Sequence, residues 1–276
     1  HSVVGRSRQQ PRLQLTFHCA MCDTADNIPQ WKIRHMTAAT NVPHNEADRE
    51  ERRWLMAIGA AGAILGAVLA AVGNLLHPVT PRDDDFGVAQ VISQSDAWTA
   101  IHLVIIVGVL GMLAGVIGLR HALPTTGFVG AMTRYGVAAG VIGSVLGVVT
   151  VILDGVAAKQ LADTWAAAPS PERATALRIV AANETMNFAL AGMFNATFAG
   201  LPFIAFGLAV ALSRVFPRWL GWIAVAAGFG SVLAGLIQAQ TGRPTVASLV
   251  LTIIGPTVIA LWMLVVGVLM ARRSSR

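Results

Sequence analysis

Six long apolar stretches constrain this chain more than any other feature of its sequence. They cover roughly residues 54–76, 98–119, 128–153, 186–212, 219–238 and 247–270. Each is close to the ~20 residues that an α-helix needs to cross a hydrocarbon layer of ~30 Å. Five contain no Asp, Glu, Lys or Arg, and the third carries only Arg134 near its start. Backbone amides and carbonyls in lipid must be satisfied within the segment itself, which leaves helices as the conformation for such runs. The expected fold is therefore all-α, a multi-pass transmembrane bundle of six helices. Composition agrees: charged residues make up 12% of the chain, about half the ~25% usual in soluble domains, and mean hydropathy is +0.63.

The formal charge of +6 would point to a nucleic-acid partner in a soluble protein. Here the basic residues instead collect at the ends of the runs, as membrane topology requires. Arg49, Arg52 and Arg53 precede the first run, Arg120 follows the second, and Arg134 opens the third. Arg214 and Arg218 join the fourth to the fifth, and Arg272, Arg273 and Arg276 end the chain. All fall on one side if both termini are cytoplasmic. The other side receives Asp83, Asp84, Asp85, Asp96, Asp154, Asp163, Glu172 and Glu184, with fewer bases. The expected setting is a bacterial cytoplasmic membrane, with the lipid bilayer as partner and no nucleic acid. Trp54, Trp98, Trp219 and Trp222 lie near run ends, where indole rings favour the interface.

Small residues mark the packing seams. Gly62, Gly66 and Ala70 share a face of the first run, Gly111 and Gly115 of the second, and Gly136, Gly140, Gly143 and Gly147 of the third. Such faces let helix backbones approach closely, and they also offer contacts for a homo-oligomer or a partner membrane protein. Arg53-Trp54-Leu55 and Arg218-Trp219-Leu220 echo one another at the starts of the first and fifth runs, a similarity that shared Ala, Gly, Val and Leu composition also accounts for.

Three parts follow from these boundaries: a polar N-terminal tail at 1–53, a six-helix domain at 54–271 and a basic tail at 272–276. Residues 1–35, which open on His1, read as an upstream extension or non-native leader without fixed structure, ahead of a short tail starting at Met36. Cys19 and Cys22 form a CxxC beside His18, with His35 further on. No second CxxC or folded surround accompanies them, so a zinc site there is not expected. No sequence motif calls for a cofactor.

The segment between the third and fourth runs is rich in helix formers and broken only at Pro169-Ser170-Pro171. Ser170 is expected to cap a new helix with Pro171 in its first turn. The third and fourth helices thus extend past the bilayer as an outward hairpin with its tip near residue 170. In that hairpin Asp154 and Glu184 come nearly level, and Lys159 and Arg178 are placed to partner acids near the tip. Asp83-Asp84-Asp85 is expected to start a short surface helix through Val91 and Ile92.

Glu184, Asn187, Ala191 and Asn195 form a stripe descending one face of the fourth helix. Polar groups at such depth turn inward and require partners. Asn74 and His77 end the first helix and His102 lies one turn inside the second, at the same height. The candidate pocket is therefore Asn74, His77, His102, Asp154, Glu184 and Asn187. Two imidazoles with two carboxylates suit a divalent metal, the weak ligand candidates being His77, His102, Asp154 and Glu184. They equally suit a proton relay. No HExxH, Ser-His-Asp or phosphate-binding motif connects them.

With His77-Pro78, Trp98 with His102, Asp154-Gly155 with Lys159 and Trp165, and Phe216-Pro217-Arg218-Trp219-Leu220-Gly221-Trp222 in place, the chain resembles a group of uncharacterised integral membrane proteins of high-GC, actinobacterial-type bacteria. The resemblance covers about residues 54–270. It implies six spans and carries over no catalytic residues. The leading expectation is a structural or accessory membrane protein. A small-solute or proton-coupled transporter using the polar pocket is the alternative, and a membrane-embedded metal- or haem-binding protein the second.

Overall fold

The computed structural model describes residues 43–275, which are helical with short connections and, among the described residues, contain no strand. Contacts divide the chain at Arg49/Glu50. Of the first unit only the start of one helix is described. Cys19, Cys22, His18, His35 and the expected non-native, unstructured segment 1–35 lie outside the described residues.

Helix α1 (Pro43–Leu76) starts eleven residues before the apolar run and takes in part of the segment expected as a polar tail. The cause is local: Glu46 to Arg53 are good helix formers, and acidic Glu46 lies in the first turn, where the helix dipole favours it. A short α2 (Asp85–Gln94) precedes α3 (Trp98–Ala122). The third span is α4 (Gly127–Val151), a π-helical turn (Ile152–Ala157) and α5 (Ala158–Ala167) in one continuous rod. The fourth is α6 (Ser170–Phe194), a second π-turn (Asn195–Gly200) and α7 (Leu201–Ser213). Helices α8 (Arg218–Thr241) and α9 (Val246–Ser274) complete six helices long and apolar enough to cross a membrane. The last helix runs through the segment expected as a free basic tail, ending at Ser274 rather than 271.

The hairpin turns at Ala168 and Pro169, as its proline signal predicts. The cap itself differs: extended Pro169 holds the cap position, Ser170 is already helical, and no side chain caps the turn. With 41 residues in the third span, the rod is ~60 Å long at 1.5 Å per residue, well beyond the bilayer core. Its protruding part is not bare. Val88 and Ile92 of α2 are buried against Trp98, Ala158 and Ala162, and Ala89 packs with Trp165 and Val180. The expected surface helix thus braces the hairpin.

Glycines set the spacing of the bundle. A Cβ on Gly66 would run into the backbone of Gly111 and Met112, and one on Gly108 into Ala70. On α4, Gly136, Gly143 and Gly147 receive Phe206, Phe198 and Phe194. These faces, which the sequence also offered to an oligomer, are occupied within the chain. The fourth span is the most enclosed, with 61% of its most apolar window buried.

The start of the first apolar run and the end of α9 meet at one face of the bundle, here the terminal face. Arg53 Nε donates to the Ser274 carbonyl at 2.8 Å and Arg52 Nε to that of His121 at 2.6 Å. Arg273 donates to the Val215 carbonyl and lies over the Phe216 ring. Below it, Phe198, Phe203, Phe206, Trp262 and Met263 close the interior with apolar packing. The opposite, distal face carries α2, the hairpin and the candidate site.

Candidate metal site at the distal face

His77 directly follows α1, where Pro78 prevents the helix from continuing. Its Nδ1 lies 2.8 Å from the Pro78 carbonyl. His102 sits on α3, and its Nδ1 lies 2.7 Å from the carbonyl of Trp98, one turn earlier. A carbonyl only accepts, so both Nδ1 atoms carry the proton. In the neutral rings both Nε2 atoms then hold a lone pair.

Those two lone pairs face each other: His77 Nε2 is 3.2 Å from His102 Nε2. Asp154 Oδ2 joins them, 3.2 Å from His102 Nε2 and 4.0 Å from His77 Nε2. Three acceptor atoms, from the residue after α1, from α3 and from the π-turn, thus converge within 4.8 Å. The His102 side chain is 3% exposed, while those of His77 and Asp154 are 28% and 23% exposed, so the cluster opens on one side. Burial pushes the His77 imidazole below its ordinary range; Asp154 opposes this shift and His102 adds to it.

The π-turn delivers Asp154. Widening the helix frees backbone carbonyls, and neighbouring side chains take them up. Trp98 Nε1 donates to Asp154 O at 2.6 Å, Thr99 Oγ1 to Gly155 O at 2.8 Å, and Asn183 Nδ2 to Leu153 O at 3.3 Å. The start of α3 and the middle of α6 are thereby sewn to the turn. Gly155 allows the approach, since a Cβ there would strike His102. The Trp98 ring lies 4.9 Å from the centroids of both imidazoles and walls the site.

The remaining pocket residues separate. Glu184 and Asn187 are buried on α6, and Glu184 does not join the three converging ligand atoms. Glu184 Oε1 and Asn187 Oδ1 have no hydrogen-bond partner among the described residues. Asn74 instead turns its amide back to the Ala70 carbonyl at 2.8 Å. Lys159 bonds Asp163 at 2.6 Å and the Ser93 carbonyl at 2.9 Å, while Arg178 reaches Thr175 at 3.1 Å. Sequence reasoning passed over Thr99, Asn183 and the structural roles of Trp98 and Gly155. Of these only Asn183 had a usable signal, its i,i+4 spacing to Asn187.

The His77–His102 spacing is close to that between two ligands of one zinc ion, while Asp154 Oδ2 lies 4.0 Å from His77 Nε2. Nitrogens ~2.0–2.1 Å from zinc at a tetrahedral angle lie about 3.3–3.4 Å apart, against 3.2 Å here. Two histidines on opposite sides of one haem iron need Nε2 atoms roughly 4 Å apart with the macrocycle between them. The 3.2 Å separation rules out that pairing in this conformation.

No curated protein and no solved structure matches the chain. A family model does: Domain of unknown function (DUF4386), over residues 55–267. The match runs from within the first to within the sixth candidate membrane helix and takes in every residue of the cluster, and the chain belongs to the DUF4386 family.

Proposed function

We propose that this membrane protein binds a divalent transition metal, with zinc the best fit, through His77, His102 and Asp154. One observation carries the reading. With both Nδ1 atoms committed to carbonyls, two Nε2 lone pairs and a carboxylate oxygen point at one another. Such an arrangement repels itself unless a cation sits among the three atoms. The Nδ1 bonds to backbone carbonyls are also the outer-sphere contacts that orient metal-binding histidines. Two histidines with one carboxylate leave a fourth position open, the pattern of a reactive rather than a purely structural zinc site.

A single shared proton is the other cation that relieves the repulsion, and it corresponds to the proton-relay reading of the sequence. Metal analysis separates the two. Protein purified in mild detergent from zinc-supplemented cells should carry about one zinc per chain, and His102→Ala should carry almost none. Metal-free wild-type protein that also fails to take up zinc in titration would leave the proton reading standing.

Arginine placement supports an orientation with the terminal face in the cytoplasm. Arg52, Arg53, Arg120, Arg214, Arg218, Arg272 and Arg273 cluster there. We accordingly place the site at the outer surface of a bacterial cytoplasmic membrane. A reporter fused after Ser274 should be active only if it is a cytoplasmic type.

A further inference from the structure

We propose that the metal centre is hydrolytic, with Glu184 as proton acceptor for a metal-bound water and a long-chain acyl ester as the class of substrate; this rests on the metal reading above. Glu184 is 7% exposed and Asn187 5% exposed. Both present an acceptor oxygen with no donor among the described residues. They lie three residues apart, on one face of α6, in the most enclosed span. Asn183, the residue before Glu184, is bonded to Leu153, the residue before Asp154, which fixes this part of α6 against the site. The charged or titratable groups acting on Glu184 are Asp154, Asp85, His102 and Arg243.

A buried acceptor left empty is costly, and more so when it is charged. Water on a metal held by the three ligands would offer Glu184 such a donor. Metal binding also acidifies that water, and a neighbouring carboxylate is the group that takes its proton. The hydroxide adds to the ester carbonyl carbon, whose oxygen becomes the oxyanion. Collapse then breaks the bond to the alkoxide, which receives the proton held by Glu184. The products are a carboxylic acid and an alcohol, and no redox partner is needed.

The surroundings select the substrate. Leu75 is 85%, Val79 92% and Phe86 52% exposed, and they flank His77 and the start of α2. Exposed apolar side chains beside the site suit an acyl chain better than a polar solute. Beneath the site, Phe198, Phe203, Phe206 and Trp262 pack the interior shut. That packing favours chemistry at the mouth over passage through the bundle.

The test uses full-length zinc-loaded protein in mixed micelles with a fluorogenic dodecanoyl ester, following zinc content and ester cleavage together. Wild-type protein should cleave the ester. Glu184→Gln should keep about one zinc per chain and the wild-type melting temperature, yet lose roughly 10²–10⁴-fold in kcat, the usual contribution of a positioned proton acceptor. Wild-type protein that holds zinc but leaves the ester intact would overturn the hydrolytic proposal alone. Zinc lost in Glu184→Gln would make Glu184 a ligand and equally overturn its role here. Wild-type protein without zinc would overturn the metal reading itself.

Discussion

Gly155 and His102 touch backbone to side chain: a Cβ built on Gly155 would fall 2.8 Å from the imidazole Cγ of His102 and closer still to its Cβ. The helix carrying His102 and the π-turn carrying Asp154 therefore reach their 3.2 Å separation only because residue 155 has no side chain. Gly155→Ala should push the two apart. We expect a loss of about 1–3 kcal/mol in stability, the common cost of overpacking. Zinc affinity, read by competition with a chromophoric chelator, should fall at least tenfold. Unchanged affinity would show that the contact does not govern the geometry.

Trp98 acts through both its ring and its N–H. Trp98→Phe keeps a ring against His77 and His102 but removes the 2.6 Å bond to the Asp154 carbonyl. Outer-sphere partners of metal ligands typically matter by about 10–100-fold in affinity. A drop within that range is expected by calorimetric titration, whereas Trp98→Ala should also lower the melting temperature.

At the first seam, Gly66→Val should be at least as damaging to stability as Gly155→Ala at the metal site. The added carbons meet main-chain atoms of Gly111 and Met112, which cannot rotate away. Unfolding in a detergent titration should shift by at least the about 1–3 kcal/mol of ordinary overpacking. Gly230→Ala, whose added Cβ would meet only Leu251 at 4.0 Å, serves as the matched control and should change little.

Arg243 pairs with Asp85 at 3.2 Å, and its other Nη lies 3.4 Å from the Arg82 carbonyl. Both side chains are about two-fifths exposed, at 42% and 40%, so the pair contributes only about 0–1 kcal/mol. Arg243→Ala should leave the melting temperature within a degree or two. Hydrogen exchange should nevertheless quicken in α2, whose first turn the pair tethers. Unaltered exchange in Asp85–Gln94 would mean that burial of Val88 and Ile92 alone holds the helix.

The spans were readable because lipid imposes one conformation on long apolar runs, and the hairpin because Pro169 and Pro171 interrupt an otherwise helical stretch. Height along the helices was enough to bring His77, His102 and Asp154 into one group. It said nothing about rotation around each helix axis, which is why Asn74 entered the group although its amide turns back to Ala70. The π-turn at Ile152–Ala157 has no composition of its own. It exists because Trp98, Thr99 and Asn183 receive the carbonyls it frees, and those partners come from elsewhere in the chain. The roles of Gly155 and Asn183 depend on that turn and were hidden with it. The reach of α1 back to Pro43 was missed for a simpler reason: hydropathy marks where a helix enters lipid, not where it starts.

Cobalt substitution tests the central claim most directly, because its visible spectrum reports coordination geometry as well as occupancy. Titrating metal-free protein with Co²⁺ should give the intense blue bands of a four-coordinate ion, saturating at about one per chain. Asp154→Asn and His102→Ala should abolish them. No binding, or only the weak pink spectrum of six-coordinate cobalt unaffected by either substitution, would contradict a metal centre at His77, His102 and Asp154.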